Sequence, residues 1–191
     1  MGFRRYVAMP AVLATMVVTA GAVPAQATVF DKGPFAFEDS RTEDLCGIEV
    51  RHDFAISGHF RTRTGKGDLD QAFFGQSSAR ITDTFTNLAT GAWIINEARL
   101  TEMDVKARPL GGNVFEFEFR DAGMGVVRDM DGNVVLRDRG AIWTRVVFDT
   151  LGDSQPGGDI LEESVIRVSG PHPGFEQDEE EFCATVHDLI G

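Results

Sequence analysis

The chain has 191 residues, of which 30 are acidic and 18 are Lys or Arg, and its formal charge is −12. Such a balance repels phosphate backbones and anionic lipid, so neither nucleic acid nor a membrane surface is an expected partner. Hydrophobic residues make up 42% of the sequence, which is enough for the core of one domain.

Residues 1–27 are predicted to be a cleavable export signal. Arg4 and Arg5 precede an apolar stretch, and Ala25 and Ala27 supply the small side chains that signal peptidase requires. Cleavage after Ala27 would leave 16 basic residues against 30 acidic ones, a charge of −14. We therefore expect a secreted protein that has no membrane association after cleavage. The alternative is an uncleaved N-terminal anchor.

Residues 28–45 are predicted to be an extended lead-in. Gly33 and Pro34 break regular structure there, and the charged residues that follow show no apolar period. A single β-barrel-like domain is expected over 46–191. It contains no internal repeat and no low-complexity segment.

The clearest strand runs from Val114 to Arg120. Three phenylalanines alternate with charged residues, and this period of two is typical of an antiparallel strand with one buried face. Hairpin turns are predicted at 88–91, 110–113 and 131–133, where glycine accepts positive φ angles. The sequence Gly123-Met124-Gly125 is interpreted as a further turn. Strands are then predicted near 47–62, 71–87, 92–107, 113–121, 124–130, 133–149 and 159–169.

These segments predict a mainly β fold, a single antiparallel β-barrel or sandwich of about seven to eight strands with one C-terminal helix. The helix is predicted over 176–190, because acids begin it and apolar residues gather on one face. Cys46 and Cys183 are the only cysteines. In an exported chain, a lone pair predicts a disulfide that holds the helix to the first strand. A pair of free buried thiols is the alternative.

Short motifs are spread over most of the expected mature chain. They are Cys46-Gly47, Asp131 to Asn133, Gly170 to His172, and Phe182-Cys183. Together with the export signal, they resemble a group of uncharacterised secreted proteins of high-GC Gram-positive bacteria. The resemblance implies a small β-barrel-like fold and implies no reaction. In outline the strand pattern is also similar to lipocalin-like and allene-oxide-cyclase-like barrels, a likeness of fold alone.

The motifs of common enzymes are missing from the sequence. There is no serine-hydrolase elbow, zinc-protease helix or phosphate-binding loop, so no catalytic residue, cofactor or metal is predicted. The segment Asp129 to Asn133 has alternating oxygen side chains, as calcium loops do, but its glycine comes too early. A hairpin turn is the preferred interpretation.

Several charged residues share strand parity with large apolar ones. Those that form the candidate ligand site are Asp83, Trp93, Glu97, Arg99, Trp143 and Arg145. If this parity faces a lumen, two indoles and four charged groups line a cavity for a ligand. The opposite parity contains Ile94, Ile142 and Val146, and would make an ordinary apolar core. Both alternatives stay open at this point.

Three function classes remain. We favour a secreted protein that binds a small, partly apolar molecule, because this class needs only a roomy barrel. The alternatives are an enzyme that uses an acid–arginine pair in the cavity, and an extracellular or envelope-associated interaction module without a ligand. A carboxylate in a cavity without a charge partner would favour the enzyme, since desolvation raises its pKa. The oligomeric state is left open.

Overall fold

The structure is a computed structural model that describes residues 29–173 and 178–191. The predicted export signal, 1–27, lies outside the described residues. Seven strands pair with their neighbours in chain order to form one antiparallel sheet. The elements are β1 (Val29–Leu45), β2 (Ile48–Thr64), β3 (Phe73–Asn87), β4 (Trp93–Gly111), β5 (Val114–Arg128), β6 (Val134–Asp149), β7 (Asp159–Ser169) and α1 (Glu179–Ile190).

The prediction of a mainly β fold with a C-terminal helix is confirmed. Among the described residues β1 pairs only with β2 and β7 only with β6, so the sheet is not closed into a barrel. The segment expected as an extended lead-in is β1, which pairs with β2 along its length. No helix in the described ranges is long and apolar enough to cross a membrane.

One predicted turn was wrong. Gly123 and Gly125 lie inside β5, so the segments predicted near 113–121 and 124–130 form a single strand. A Cβ atom at Gly123 would clash with the backbone carbonyl oxygen of Arg99 and would lie 2.6 Å from Leu100 Cδ2, both on β4. The glycine is therefore needed for the close approach of β4 and β5 and does not mark a turn.

The β1–β2 hairpin is a two-residue turn formed by Cys46 and Gly47. Both residues have positive φ angles, 58° and 81°, as the favoured two-residue hairpin turns require. The Asp44 carboxylate accepts a hydrogen bond from the Gly47 amide at 3.0 Å. The turn presents Cys46 to α1, where its sulfur lies 2.06 Å from that of Cys183. The predicted pairing of the two cysteines is confirmed.

Helix α1 covers one end of the sheet. Its residues Val186 and Ile190 pack against Leu45, Val50 and Ile94, which form one of two buried clusters. The Asp178 side chain caps the helix by accepting from the Glu181 amide, and buried Asn87 donates to the Ile190 carbonyl at 2.6 Å. A second cluster lies at the far end of the sheet and contains Ala72, Phe74, Phe115 and Phe117.

The sheet has two faces with different exposure. Residues that lie directly opposite each other in an antiparallel pair point to the same side, so the pairing assigns a face to each residue. The face that α1 covers, called here the helix face, holds Val50, Ile94 and Val146, which are all buried. The parity of Ile94, Ile142 and Val146 is thus the covered one.

Replacing Cys183 with serine should lower the melting temperature. The bond joins residues that are 137 positions apart. For that loop length, the entropy that it removes from the unfolded chain is worth about 4–5 kcal/mol. For a domain of this size the expected drop is on the order of 10 °C, measured by circular dichroism. The double variant Cys46→Ser/Cys183→Ser should have the same melting temperature as the single variant. A single variant that melts with the wild type would show that the bond contributes no stability.

Candidate functional site

A cleft opens where β3 and β4 separate. Their pairing ends at Gln76 and Met103, whereas β3 stays paired with β2 as far as Phe73. Beyond this point the Gly75 amide donates to the Asp104 carboxylate. The cleft has a volume of about 300 Å³ and is lined by Arg61, Arg63, Phe74, Gly75, Gln76, Met103 and Asp104.

The separation has a local cause in β4. The pairing of β4 with β5 shifts between Asp104 and Lys106, and such a bulge bends a strand and changes its twist. Phe74 of β3 then packs on Phe117 of β5, with ring centroids 5.9 Å apart. This aromatic contact holds the two halves of the sheet together across the far end of the cleft.

Asp104 is the acid of the cleft. The pKa of its carboxyl is raised to about 7, chiefly by burial and to a smaller extent by the nearby Glu102 and Asp121 carboxylates, while the Gly75 amide and Arg63 lower it. Near pH 7 Asp104 is therefore present in both protonation states, and it can donate or accept a proton in the cleft.

Two guanidinium groups flank the cleft. The Arg63 guanidinium lies 4.8 Å from the centroid of the Phe74 ring, a cation–π contact. Within the described residues neither Arg61 nor Arg63 has an acid at ion-pair distance. Guanidinium groups without a carboxylate partner can offer their paired donors to an incoming anion.

The residues of the candidate ligand site lie on both faces. Trp93, Glu97, Arg99, Trp143 and Arg145 share the face away from α1, as their common parity predicts. Their acid and arginine members are exposed. The tryptophans are not neighbours, because Trp143 aligns through β5 with Met103, ten residues along β4 from Trp93. Ten residues of strand span roughly 33 Å.

Asp83 lies on the helix face, apart from the other five. Its carboxylate is 3.1 Å from His52 Nε2 and accepts from the Asn96 amide at 3.1 Å. His52 is buried, its Nδ1 lies 3.1 Å from the Glu43 carboxylate, and its ring stacks on Phe85. With both nitrogens beside carboxylates, this histidine joins neighbouring strands and leaves no group directed to a ligand.

Sequence reasoning missed the cleft. One sequence signal pointed to it. Leu100, Glu102 and Asp104 share strand parity, so two acids lie on the same face of the strand as an apolar residue that points inward. Nothing in the local pattern shows that β3 and β4 part there. Among the described residues no group of three His, Cys, Asp or Glu side chains could hold a metal ion.

No family model, curated protein or solved structure matches this chain. The function must therefore be inferred from the chemistry of the cleft and of the sheet faces.

Asp104→Asn should stabilise the protein at pH 8 and leave its stability at pH 4 almost unchanged. The folded pKa lies above the unfolded one, so the wild type loses stability as the pH rises from about 4 to about 7. The full effect is on the order of 4 kcal/mol. Asparagine remains neutral and keeps an acceptor for the Gly75 amide.

Urea unfolding at a series of pH values measures this difference. Glu49→Gln is the matched control, because it removes the same charge from an exposed strand position. Parallel pH profiles for wild type and Asp104→Asn would contradict the burial of an ionisable carboxyl in the cleft.

Proposed function

We propose that the protein is a secreted binder of a small, partly apolar anion, held in the cleft between β3 and β4. The observation that carries this proposal is the lining, in which Arg61 and Arg63 lack acid partners in the described chain and lie beside Phe74 and Met103. The guanidinium groups would bind the anionic group, and the apolar side chains would contact the body of the ligand. A volume of about 300 Å³ suits a small molecule.

Asp104 would make binding depend on pH. Its protonated form can donate a hydrogen bond to an anion, whereas its charged form repels one. Because burial raises the pKa of Asp104 to about 7, binding should weaken as the pH rises through neutrality.

Secretion is part of the same proposal. It is supported by the predicted export signal and by the Cys46–Cys183 bond, since disulfides persist in oxidising compartments.

An enzyme is the second candidate, and one observation favours it. Asp104 combines a pKa near 7 with a guanidinium group close by, as a general acid or base for an anionic substrate would. In that case Asp104→Asn would retain binding and lose turnover.

Anilinonaphthalene sulfonate is a suitable probe, because it joins a permanent anion to an aromatic body. It should bind the wild type with a dissociation constant of about 1 µM, which corresponds to roughly 8 kcal/mol. Arg63→Gln should weaken binding at least tenfold by removing one guanidinium group. The matched control is Arg108→Gln, whose guanidinium pairs with Glu116 at 3.1 Å outside the cleft. Fluorescence titration measures the dissociation constant of the dye for the wild type and for both variants.

The pH dependence gives a second readout. The affinity of the wild type should fall between pH 6 and pH 8, while that of Asp104→Asn should stay constant, since the sulfonate itself does not titrate there. Equal affinities for Arg63→Gln and Arg108→Gln would place the dye outside the cleft and refute the proposal.

A further inference from the structure

Acidic and basic residues are distributed unevenly between the two faces of the sheet, although the face away from α1 also carries acids such as Glu97 and Glu118. On the helix face the strands present acids that include Asp39, Asp83, Glu102, Asp138 and Glu163. On the other face, three consecutive rows of residues crossing the described strands contain no acid at all. We call these three rows the arginine band. The arginine band is therefore a basic surface on a chain whose net charge is negative.

The first row of the band runs across all seven strands. Its residues lie opposite one another in consecutive strand pairs. The four cations of this row are Lys32, Arg61, Arg120 and Arg167. At about 4.8 Å for each strand, they are separated by roughly 5, 14 and 10 Å.

The third row adds three more arginines, and the row between the two is uncharged apart from a histidine. Arg80 of β3 lies directly opposite Arg99 of β4, and Arg139 of β6 follows two strands away. All three side chains are exposed. Like charges directly opposite each other destabilise an antiparallel pair. An anion bound between Arg80 and Arg99 would relieve that repulsion.

No cation of the band pairs with an acid of the described chain at ion-pair distance. Arg120 and Arg167 instead lie over the ring of Trp143, at 5.6 and 4.3 Å from its centroid. The Trp143 ring positions the two guanidinium groups and leaves their donors free of carboxylates. Each planar guanidinium can hold one carboxylate or sulfate through two parallel hydrogen bonds.

The spacing of these cations fits a polymer with widely separated charges. Nucleic acid carries one phosphate per 3.4 Å of strand, far denser than the cations of the band. Trp143 is covered by guanidinium groups, so it offers no open ring on which bases could stack. The acids of the opposite face weaken long-range attraction to polyphosphates and bilayers. Short-range contact with spaced oxyanions remains.

We propose that the arginine band binds a linear acidic polysaccharide, which lies across the strands and presents carboxylate or sulfate groups to the guanidinium side chains. The first row of the band borders the cleft, because Arg61 belongs to both. Arg80, Arg99 and Arg139 of the third row lie outside the cleft lining, so substitutions there test the band separately from the site for the small anion.

The decisive experiment compares two double variants of the full secreted protein. Arg80→Gln/Arg99→Gln removes the like-charged pair. The control Arg41→Gln/Arg108→Gln removes the same charge from two arginines that have acid partners, one of them on the helix face. Oligogalacturonate and short dextran sulfate are titrated against each protein at several salt concentrations, with neutral dextran as the blank.

The band variant should bind the charged glycans at least tenfold more weakly than the wild type, and the control should stay within twofold. For the band variant, the slope of log affinity against log salt concentration should be shallower than for the wild type, by an amount that corresponds to about two fewer released counterions. Binding of the uronate alone or of the sulfate alone identifies the anionic group and supports the proposal. Equal affinities for the two double variants would overturn it.

Thermal melting gives a readout that does not depend on affinity. Arg99→Gln should raise the melting temperature of the free protein, because it removes like-charge repulsion, and should abolish the further rise caused by oligogalacturonate. A lower melting temperature for free Arg99→Gln than for the free wild type would contradict the argument that Arg80 and Arg99 repel each other.

A single-stranded thymidine oligonucleotide and vesicles with 30% phosphatidylglycerol complete the set of probes. If either binds through Arg80 and Arg99 while both glycans fail, the polysaccharide assignment is overturned. Arg63→Gln, which should lose the dye but retain the glycan, separates this proposal from that of the cleft.

Discussion

Direct pairing across an antiparallel sheet is the constraint on which this structure depends. Opposite residues point to the same side, so six successive hairpins carry one assignment of faces from β1 to β7. A slip of one residue in any pair would send every later side chain to the other face. The three rows that hold arginines and no acid, the place where α1 packs and the position of Trp143 beneath two guanidinium groups all follow from this one register.

The two ends of the sheet are stabilised in different ways. At one end α1 buries apolar side chains, and the Cys46–Cys183 bond and the Asn87 hydrogen bond hold it there. At the other end phenylalanines from β3 and β5 supply the packing. Edge strand β7 exposes large apolar residues such as Ile160, but its pairing with β6 shifts twice. Such bulges hinder an edge strand from pairing with another chain.

The cleft exists because the regular pairing stops. A bulge in β4 frees the Gly75 amide from the ladder, and Asp104 satisfies it at the cost of burying a carboxyl group. The raised pKa of Asp104 is the electrostatic consequence of that burial. The bulge at Asp104 thus produces both the cleft and a group that titrates near neutral pH.

The sequence by itself determined the element types, because each depends on a local period or turn. The alternation in Val114 to Arg120, the glycine-containing hairpins and the cysteine pair all predicted features that the structure has. Parity likewise placed Arg99, Trp143 and Arg145 on one face. Gly123 was misinterpreted, because a glycine in a turn and a glycine where two strands approach closely look alike in sequence.

Only the tertiary structure decided which parity is covered, how far Trp93 lies from Trp143 and where β3 parts from β4. These features depend on the register between strands and on contacts between distant segments, which a local period does not contain. Net charge likewise contains no information about where the charged residues lie, because it is a sum over the whole molecule. The chain is acidic in total, yet pairing places most of its arginines on the face away from α1, and the charge of a local surface can therefore differ in sign from the net charge.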